Sequence, residues 1–297
     1  MHVGRHRSGT TALQRFFSDN ETLLANESLL YPRAGRKELG HHQLTRSIRG
    51  DGELLDALHS EIAGHDGSVI LSSELLQSVS PKKLALALPV GDTDIVVYLR
   101  EQVDYLVSDY AQRVKATDYT ASFETFLQQR MDSTERAHDY LRQVRAWGRH
   151  FGEEHVKVRI YDRNELPSGS TVADFCSIYD ITHSPTHSKI EVNTSFTGEL
   201  LAAKRLLNAT TLAGTGNTSM AMIERLREVG RRFPSRPPEI DAAIATRIRD
   251  QFAAQNLALF DEFVADGRDD FHKEALAEPT AVNMNRVIEI VEQILAT

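Results

Sequence analysis

His2-Val3-Gly4-Arg5-His6-Arg7-Ser8-Gly9-Thr10-Thr11 is a short β-branched run, then a turn of small and cationic residues, then the first residues of a helical pattern. Glycine lets the backbone approach an anion closely. The N–H groups of a first helical turn point at that anion, and the helix dipole adds positive potential there. A strand, such a turn and a helix read together as an anion-binding corner of an α/β sheet. Gly4 and Gly9 have the spacing of a Walker A loop, but Thr10 stands where the lysine belongs, followed by Thr11. The cation has moved back into the loop as Arg5, His6 and Arg7, so charge is kept while its position changes. A nucleoside triphosphatase would miss its lysine.

Outward from this corner, short apolar runs alternate with longer helical patterns. Strands are expected at residues 2–4, 29–31, 69–72, 94–99 and 156–161. Apolar residues recur at three- and four-residue spacing over 10–24, 53–63, 101–115, 134–151 and 171–179, which predicts helices between the strands. This is the pattern of a parallel sheet covered by helices. Beyond residue 184 the texture turns all-helical, over 199–212, 219–231, 239–263 and 281–296. The expected fold is α/β, as a single domain over 1–297, with a core over 1–185 and a helical part over 186–297 packed on it. Trp147, with Leu141, Val144 and Phe151 at helical spacing, is expected in the core.

The 297 residues are 41% hydrophobic and carry 34 basic against 42 acidic side chains, a net charge of −8, so any anion site must be local and a nucleic-acid partner is not expected. The single cysteine, Cys176, excludes an internal disulfide and any multi-cysteine metal site. No apolar run is long enough to span a bilayer. Met1 leads within three residues into the glycine loop without the regions of a signal peptide, and a cytoplasmic protein is expected. Val69-Ile70-Leu71 runs into Ser72-Ser73-Glu74, and Ile95 to Leu99 into Arg100. Only the strand ending at Tyr161 reaches an aspartate, Asp162, so no metal site is expected and metal-assisted phosphoryl transfer has little support.

Two motifs in order carry a resemblance. The first is the cationic loop ending in Gly9-Thr10-Thr11. The second is Val96-Val97-Tyr98-Leu99-Arg100 with Ser108 eight residues on. Together they resemble the sulfotransferases that use 3′-phosphoadenosine 5′-phosphosulfate, especially their bacterial branch. Trp147, Phe151-Gly152, the strand to Tyr161 and Leu166 through Asp174-Phe175 follow that family's later core in order. The resemblance implies a P-loop-like three-layer fold. It also implies that Arg5, His6, Arg7, Ser8, Gly9, Thr10 and Thr11 receive the 5′-phosphosulfate, while Arg100 and Ser108 hold the 3′-phosphate. The family normally has lysine where Arg7 stands, beside the leaving oxygen. Arg7 keeps the charge and the donors but is a much poorer proton donor. Asn193 and Ser195, with Lys189 as an added cation, fall where the family often closes a loop over the nucleotide.

The activity so implied moves a sulfuryl group from that co-substrate to an acceptor bearing a hydroxyl or an amine. Its alternatives are a small-molecule kinase of P-loop fold and a non-catalytic nucleotide-binding protein. Sulfuryl transfer is an in-line displacement between two oxygens, with less charge to offset than in phosphoryl transfer. A hydroxyl acceptor needs a general base. Glu74 ends a strand at the carboxyl edge, where open α/β sheets place ligands, while His41 and His42 follow the second strand. Either His42 or Glu74 is expected to be the base, with the other orienting the acceptor.

Overall fold

In the computed structural model, residues 1–5, 7–50, 52–88, 93–182, 196, 198–210, 220–232, 240–264, 267–271 and 282–296 are described. Two compact units divide the chain. One comprises Met1–Glu101, Asp139–Glu191 and Ala254–Phe271; the other comprises Gln102–His138, Val192–Ala253 and His272–Thr297.

The first unit holds the sheet. Strand β1 (His2–Val3) lies between β4 (Ser72–Ser73) and β5 (Ile95–Leu99), β6 (Val156–Ile160) pairs outside β5, and every pairing is parallel. A second parallel pair joins β2 (Leu29–Leu30) to β3 (Ser68–Val69). Only Ile70 and Leu71 separate β3 from β4, and their backbone goes on pairing. The Ile70 N–H donates to the Leu30 carbonyl at 2.8 Å, and the Leu71 carbonyl accepts from the His2 N–H at 2.7 Å. One extended segment, residues 68–73, thus carries both sheets.

All five residues of β5 are buried, as a run of apolar residues in a sheet covered on both faces should be. Ile95, Val97 and Leu99 join one apolar cluster, Val96 and Tyr98 the other. The first cluster packs α3 (Leu44–Arg49), α4 (Glu53–Ala63), α5 (Pro81–Ala87) and α8 (Tyr140–Phe151) against the sheet, with Leu259 and Phe260 from α12 (Ala242–Phe263). The second packs α1 (Thr10–Asp19), α2 (Glu21–Asn26) and α9 (Thr171–Ile178) on the opposite face. The three layers expected from the sequence are therefore present, and Trp147 is in the core at 5% exposure. At about 1.5–3 kcal/mol for each large apolar side chain removed from water, these two clusters are the main source of the unit's stability.

Local chemistry divides two helices that periodicity alone runs together. At Asn20 both the backbone N–H and the side-chain amide donate to the Phe16 carbonyl, which ends α1 before α2 begins. At Asp139 the carboxylate accepts from the Arg142 N–H at 3.0 Å, so the residue caps α8 and stops α7 (Phe123–His138). The short helix α3 lacks any such signal in the sequence, while α5 starts at Pro81 directly after Ser80, a residue pair that favours a helix N-terminus.

The second unit is helical among its described residues. It comprises α6 (Gln102–Ala116), α7, α10 (Gly198–Ala209), α11 (Met220–Gly230), the first part of α12 and α13 (Met284–Leu295). Its two apolar clusters centre on Leu106, Phe126 and Phe252, and on Leu207, Leu226 and Ile290. Asn208 donates its amide to the carbonyls of Val114, Thr117 and Tyr119 at 2.9 to 3.0 Å, which satisfies carbonyls that α6 leaves open at its end. No helix of the described residues is long and apolar enough to cross a membrane.

Candidate active site at the carboxyl edge of the sheet

The four parallel strands of the larger sheet end on one side, and the chain leaving each strand carries a polar side chain: Glu74 after β4, the loop from Gly4 to Gly9 after β1, Arg100 after β5, Tyr161 after β6. This is the edge at which open parallel sheets bind ligands.

The loop folds around one of its own carbonyls. Arg5 C=O accepts from the Ser8 N–H (3.4 Å), the Ser8 hydroxyl (2.8 Å) and the Thr10 hydroxyl (2.9 Å). Both hydroxyls are therefore turned inward, and Ser8 and Thr10 are buried. The anion-facing donors of such a loop are its backbone N–H groups and those of the first turn of α1, whose N-terminus has no side-chain cap. Gly4 is glycine because a Cβ there would lie 2.7 Å from the Thr10 side chain, so the helix can start hard against the strand. Gly9 has a left-handed φ of 77°, and a Cβ there would meet Thr171 of α9 at 2.6 Å and Tyr161 at 3.0 Å. Arg7 also takes a left-handed backbone, φ 68°, which a non-glycine residue holds only under local strain.

The cations of the loop have different surroundings. Arg5 is 3% exposed; its guanidinium lies 4.6 Å from the centre of the Tyr140 ring and donates to Gln143 Oε1 at 2.5 Å, both on α8. Arg7 is half-buried and Thr11 exposed, while His6 lies outside the described residues, as do Lys189, Asn193 and Ser195. Arg100 stands with its guanidinium 5.9 Å from the centre of the Tyr161 ring, and its carbonyl accepts from the Tyr140 hydroxyl at 2.7 Å. Tyr161 thus borders both Gly9 and Arg100. Ser108 belongs to the other unit, buried on α6.

On the β4 side, His42 and Glu74 come together. His42 Nδ1 lies 2.8 Å from Ser73 Oγ and 3.7 Å from Glu74 Oε2, and Gln14 of α1 donates from Nε2 to the same Oε2 at 3.0 Å. Both His42 and Glu74 keep about a fifth of their side chains exposed, so solvent or a ligand reaches them. Gly40 sits between the parts: a Cβ there would come within 2.6 Å of Gln14 Nε2 and 2.8 Å of His42 Cε1. Neither Gln14 nor Gly40 nor Ser73 is marked as a site residue by the sequence alone. The one signal was Gln14 itself, a polar residue one turn beyond Thr10 and next to the apolar stripe of Leu13, Phe16 and Phe17.

The neighbouring His41 is structural. Its Nε2 lies 2.9 Å from the Pro32 carbonyl and its Nδ1 accepts from the Ser72 N–H at 3.1 Å, which fixes the hydrogen on Nε2. Burial pushes its pKa down to about 4. His2, fully buried on β1 with Nδ1 2.8 Å from Ser72 Oγ, is pushed down to about 3 by the same cause. Both are neutral at pH 7. Among the described residues no group of three His, Cys, Asp or Glu side chains is arranged to hold a metal ion.

Residues 1–197 match the family model described as "Sulfotransferase domain". A protein of Archaeoglobus fulgidus, described as uncharacterized, is 31% identical over 144 residues, which is 47% of this chain and 38% of the relative. The chain thus matches less than half the length of that curated relative. A solved sulfotransferase from Alicyclobacillus acidocaldarius aligns over 75% of this chain and 96% of its own at 20% identity, with a TM-score of 0.41.

Proposed function

This chain belongs to the sulfotransferase domain family, and from that premise we propose that it transfers a sulfuryl group from 3′-phosphoadenosine 5′-phosphosulfate to an acceptor hydroxyl or amine, with His42 as the base. The observation that carries this reading is the convergence on one sheet edge. The helix whose uncapped N-terminus suits the sulfonate also bears Gln14, which holds Glu74 beside His42. Donor and base are then placed by the same rigid element, α1. Positioning of this kind is the main source of rate in an in-line transfer.

In the proposed reaction the acceptor oxygen forms a bond to sulfur as the bond from sulfur to the bridging phosphate oxygen breaks. The leaving 3′,5′-adenosine bisphosphate takes that electron pair. The acceptor's proton passes to His42, and Glu74 offsets the charge so formed. The loop N–H groups and Arg7 face the negative charge that develops on the bridging oxygen. The family resemblance implies Arg100 and Ser108 as the residues that hold the 3′-phosphate. A cation over Tyr161 is well suited to such a group, because an arginine fork gives a phosphate two parallel donors.

Calorimetric titration with 3′,5′-adenosine bisphosphate, compared with ATP and GTP in the presence and absence of magnesium, tests the donor site. Binding of the bisphosphate without magnesium is expected, with stabilisation of about 2.7 kcal/mol at a hundredfold excess over Kd. Arg100→Ala should weaken it at least tenfold, and Ser108→Ala by less. Preference for a magnesium triphosphate would replace this reading with that of a kinase.

A further inference from the structure

The chain carries a net charge of −8, yet the two segments that lead away from His42 and Glu74 are basic. Residues 43–50 and 75–88 hold Arg46, Arg49, Lys82 and Lys83 and no carboxylate. All four cations are exposed, and among the described residues none of them pairs with a carboxylate. Arg33 and Arg36, which precede His42, differ, because Glu21 holds both, at 3.1 and 2.6 Å. The acidic residues that come next in the chain, Glu53 and Asp56, stand in the first turn of α4, where a carboxylate complements the helix dipole.

The fold joins the two basic segments into one ridge. Glu74 opens a 3₁₀ turn over Glu74–Ser78, and α5 begins soon after at Pro81, so Lys82 and Lys83 lie in its first turn. His42 stands two residues before the start of α3, which packs against both the 3₁₀ turn and α5. At its other end Arg49 ties α3 to the turn that Glu74 begins, donating from Nη2 to the Ser78 carbonyl and, at 3.0 Å, to the Ser78 hydroxyl. His42, Arg46 and Arg49 follow one another at spacings of four and three residues, the repeat of one helical face. At a rise of 1.5 Å per residue, Arg49 is about 10 Å along from His42.

An acceptor must bring a hydroxyl or an amine to His42 and Glu74. One that also neutralises the ridge carries negative charge at intervals out to about 10 Å from that group, which a single small metabolite does not span. A chain that repeats hydroxyls and carboxylates meets both demands, and an arginine fork takes a carboxylate with two parallel donors. A nucleic acid fits less well: residues 43–50 and 75–88 contain no aromatic side chain on which a base could stack, and the net charge opposes so dense an anion, as it opposes a broad anionic surface. We propose that the acceptor is an acidic polysaccharide, bound along Arg46, Arg49, Lys82 and Lys83 with one hydroxyl at His42 and Glu74. The proposal rests on the sulfuryl-transfer reading, but binding to the ridge is measurable without donor or turnover.

Fluorescence anisotropy of a labelled oligogalacturonate, titrated with the full chain in the absence of donor, tests the ridge. Binding is expected that weakens about tenfold or more between about 50 and 200 mM salt, while a neutral dextran oligomer does not bind. The triple variant Arg46→Ser, Lys82→Ser, Lys83→Ser alters exposed side chains only and leaves the Arg49 tie to Ser78 in place. It should lose about tenfold or more in affinity for the oligogalacturonate while its affinity for 3′,5′-adenosine bisphosphate is unchanged. If it does not fold, the pair Lys82→Ser, Lys83→Ser should still lose about threefold or more. Absence of oligogalacturonate binding by the unmodified chain overturns the proposal, and so does equal affinity in a folded variant. Tighter binding of single-stranded RNA, or of mixed phosphatidylcholine–phosphatidylserine vesicles, overturns it in favour of that partner. The sulfuryl-transfer reading fails separately, through absence of bisphosphate binding by a chain that still binds the oligogalacturonate.

Discussion

Arg5 and Arg7 stand two positions apart in one loop, and their surroundings give them different work. Arg5 is enclosed between Tyr140 and Gln143, so its guanidinium contributes to the packing of α8 under the loop. A desolvated cation over an aromatic ring plus a charge-assisted hydrogen bond is worth about 2–4 kcal/mol. Arg5→Ala should therefore lower Tm by roughly 5–10 °C, measured by differential scanning calorimetry. Arg7 has the left-handed backbone that glycine adopts without strain, so Arg7→Gly removes the cation and keeps the turn. Its Tm should change by less than about 2 °C, while its affinity for 3′,5′-adenosine bisphosphate falls on the order of tenfold or more, the loss of one charge-assisted contact. Equal loss of stability in both variants would remove the distinction. The loop's charge was legible in the sequence; which arginine faces inward was not, because that depends on Tyr140 and Gln143, more than 130 residues away.

Whole elements show the same division between local and distant causes. Strand β5 and helix α4 fall where the sequence puts them, since an unbroken apolar run and a clean amphipathic period need no tertiary information. Asn20 and Asp139 were readable as helix ends by their side-chain chemistry, whereas periodicity alone runs through them. Helices α3 and α5 are six and seven residues long, too short for periodicity to declare, and packing against the first cluster holds them. The candidate site was half legible. Glu74 at a strand end and His42 in the loop after the second strand stood out as candidate bases, but their partners Ser73, Gln14 and Gly40 become visible only when β4, α1 and the turn before His41 converge. Gly40→Ala tests that convergence. The added methyl cannot fit between Gln14 and His42 without moving one of them, so a cost of about 1–3 kcal/mol in stability is expected. The larger effect should be on His42, whose side-chain signals should shift in long-range ¹H–¹⁵N spectra of the ¹⁵N-histidine-labelled chain. Unchanged His42 signals in folded Gly40→Ala would show that the three elements do not depend on this contact.

At the scale of the molecule, the two buried histidines make stability a function of pH. His2 and His41 both lie in the sheet-bearing unit, held neutral by burial with pKa values near 3 and 4, against about 6.5 in an unfolded chain. Between those values the unfolded state binds more protons than the folded one, so stability rises with pH through this window and is lost as pH falls from 6.5 toward 4. Each histidine contributes a slope of about 1.4 kcal/mol per pH unit there. Two such slopes against a total stability of about 5–15 kcal/mol should unfold the sheet-bearing unit before most carboxylates protonate. Urea denaturation at a series of pH values from 7.5 to 4 measures the slope. His41→Gln retains a donor for the Pro32 carbonyl but cannot titrate, so its slope between pH 6.5 and 4 should fall to about half even if the variant is less stable at pH 7. A slope unchanged in His41→Gln would mean that other groups carry the acid sensitivity and that this histidine is not held neutral in the folded chain.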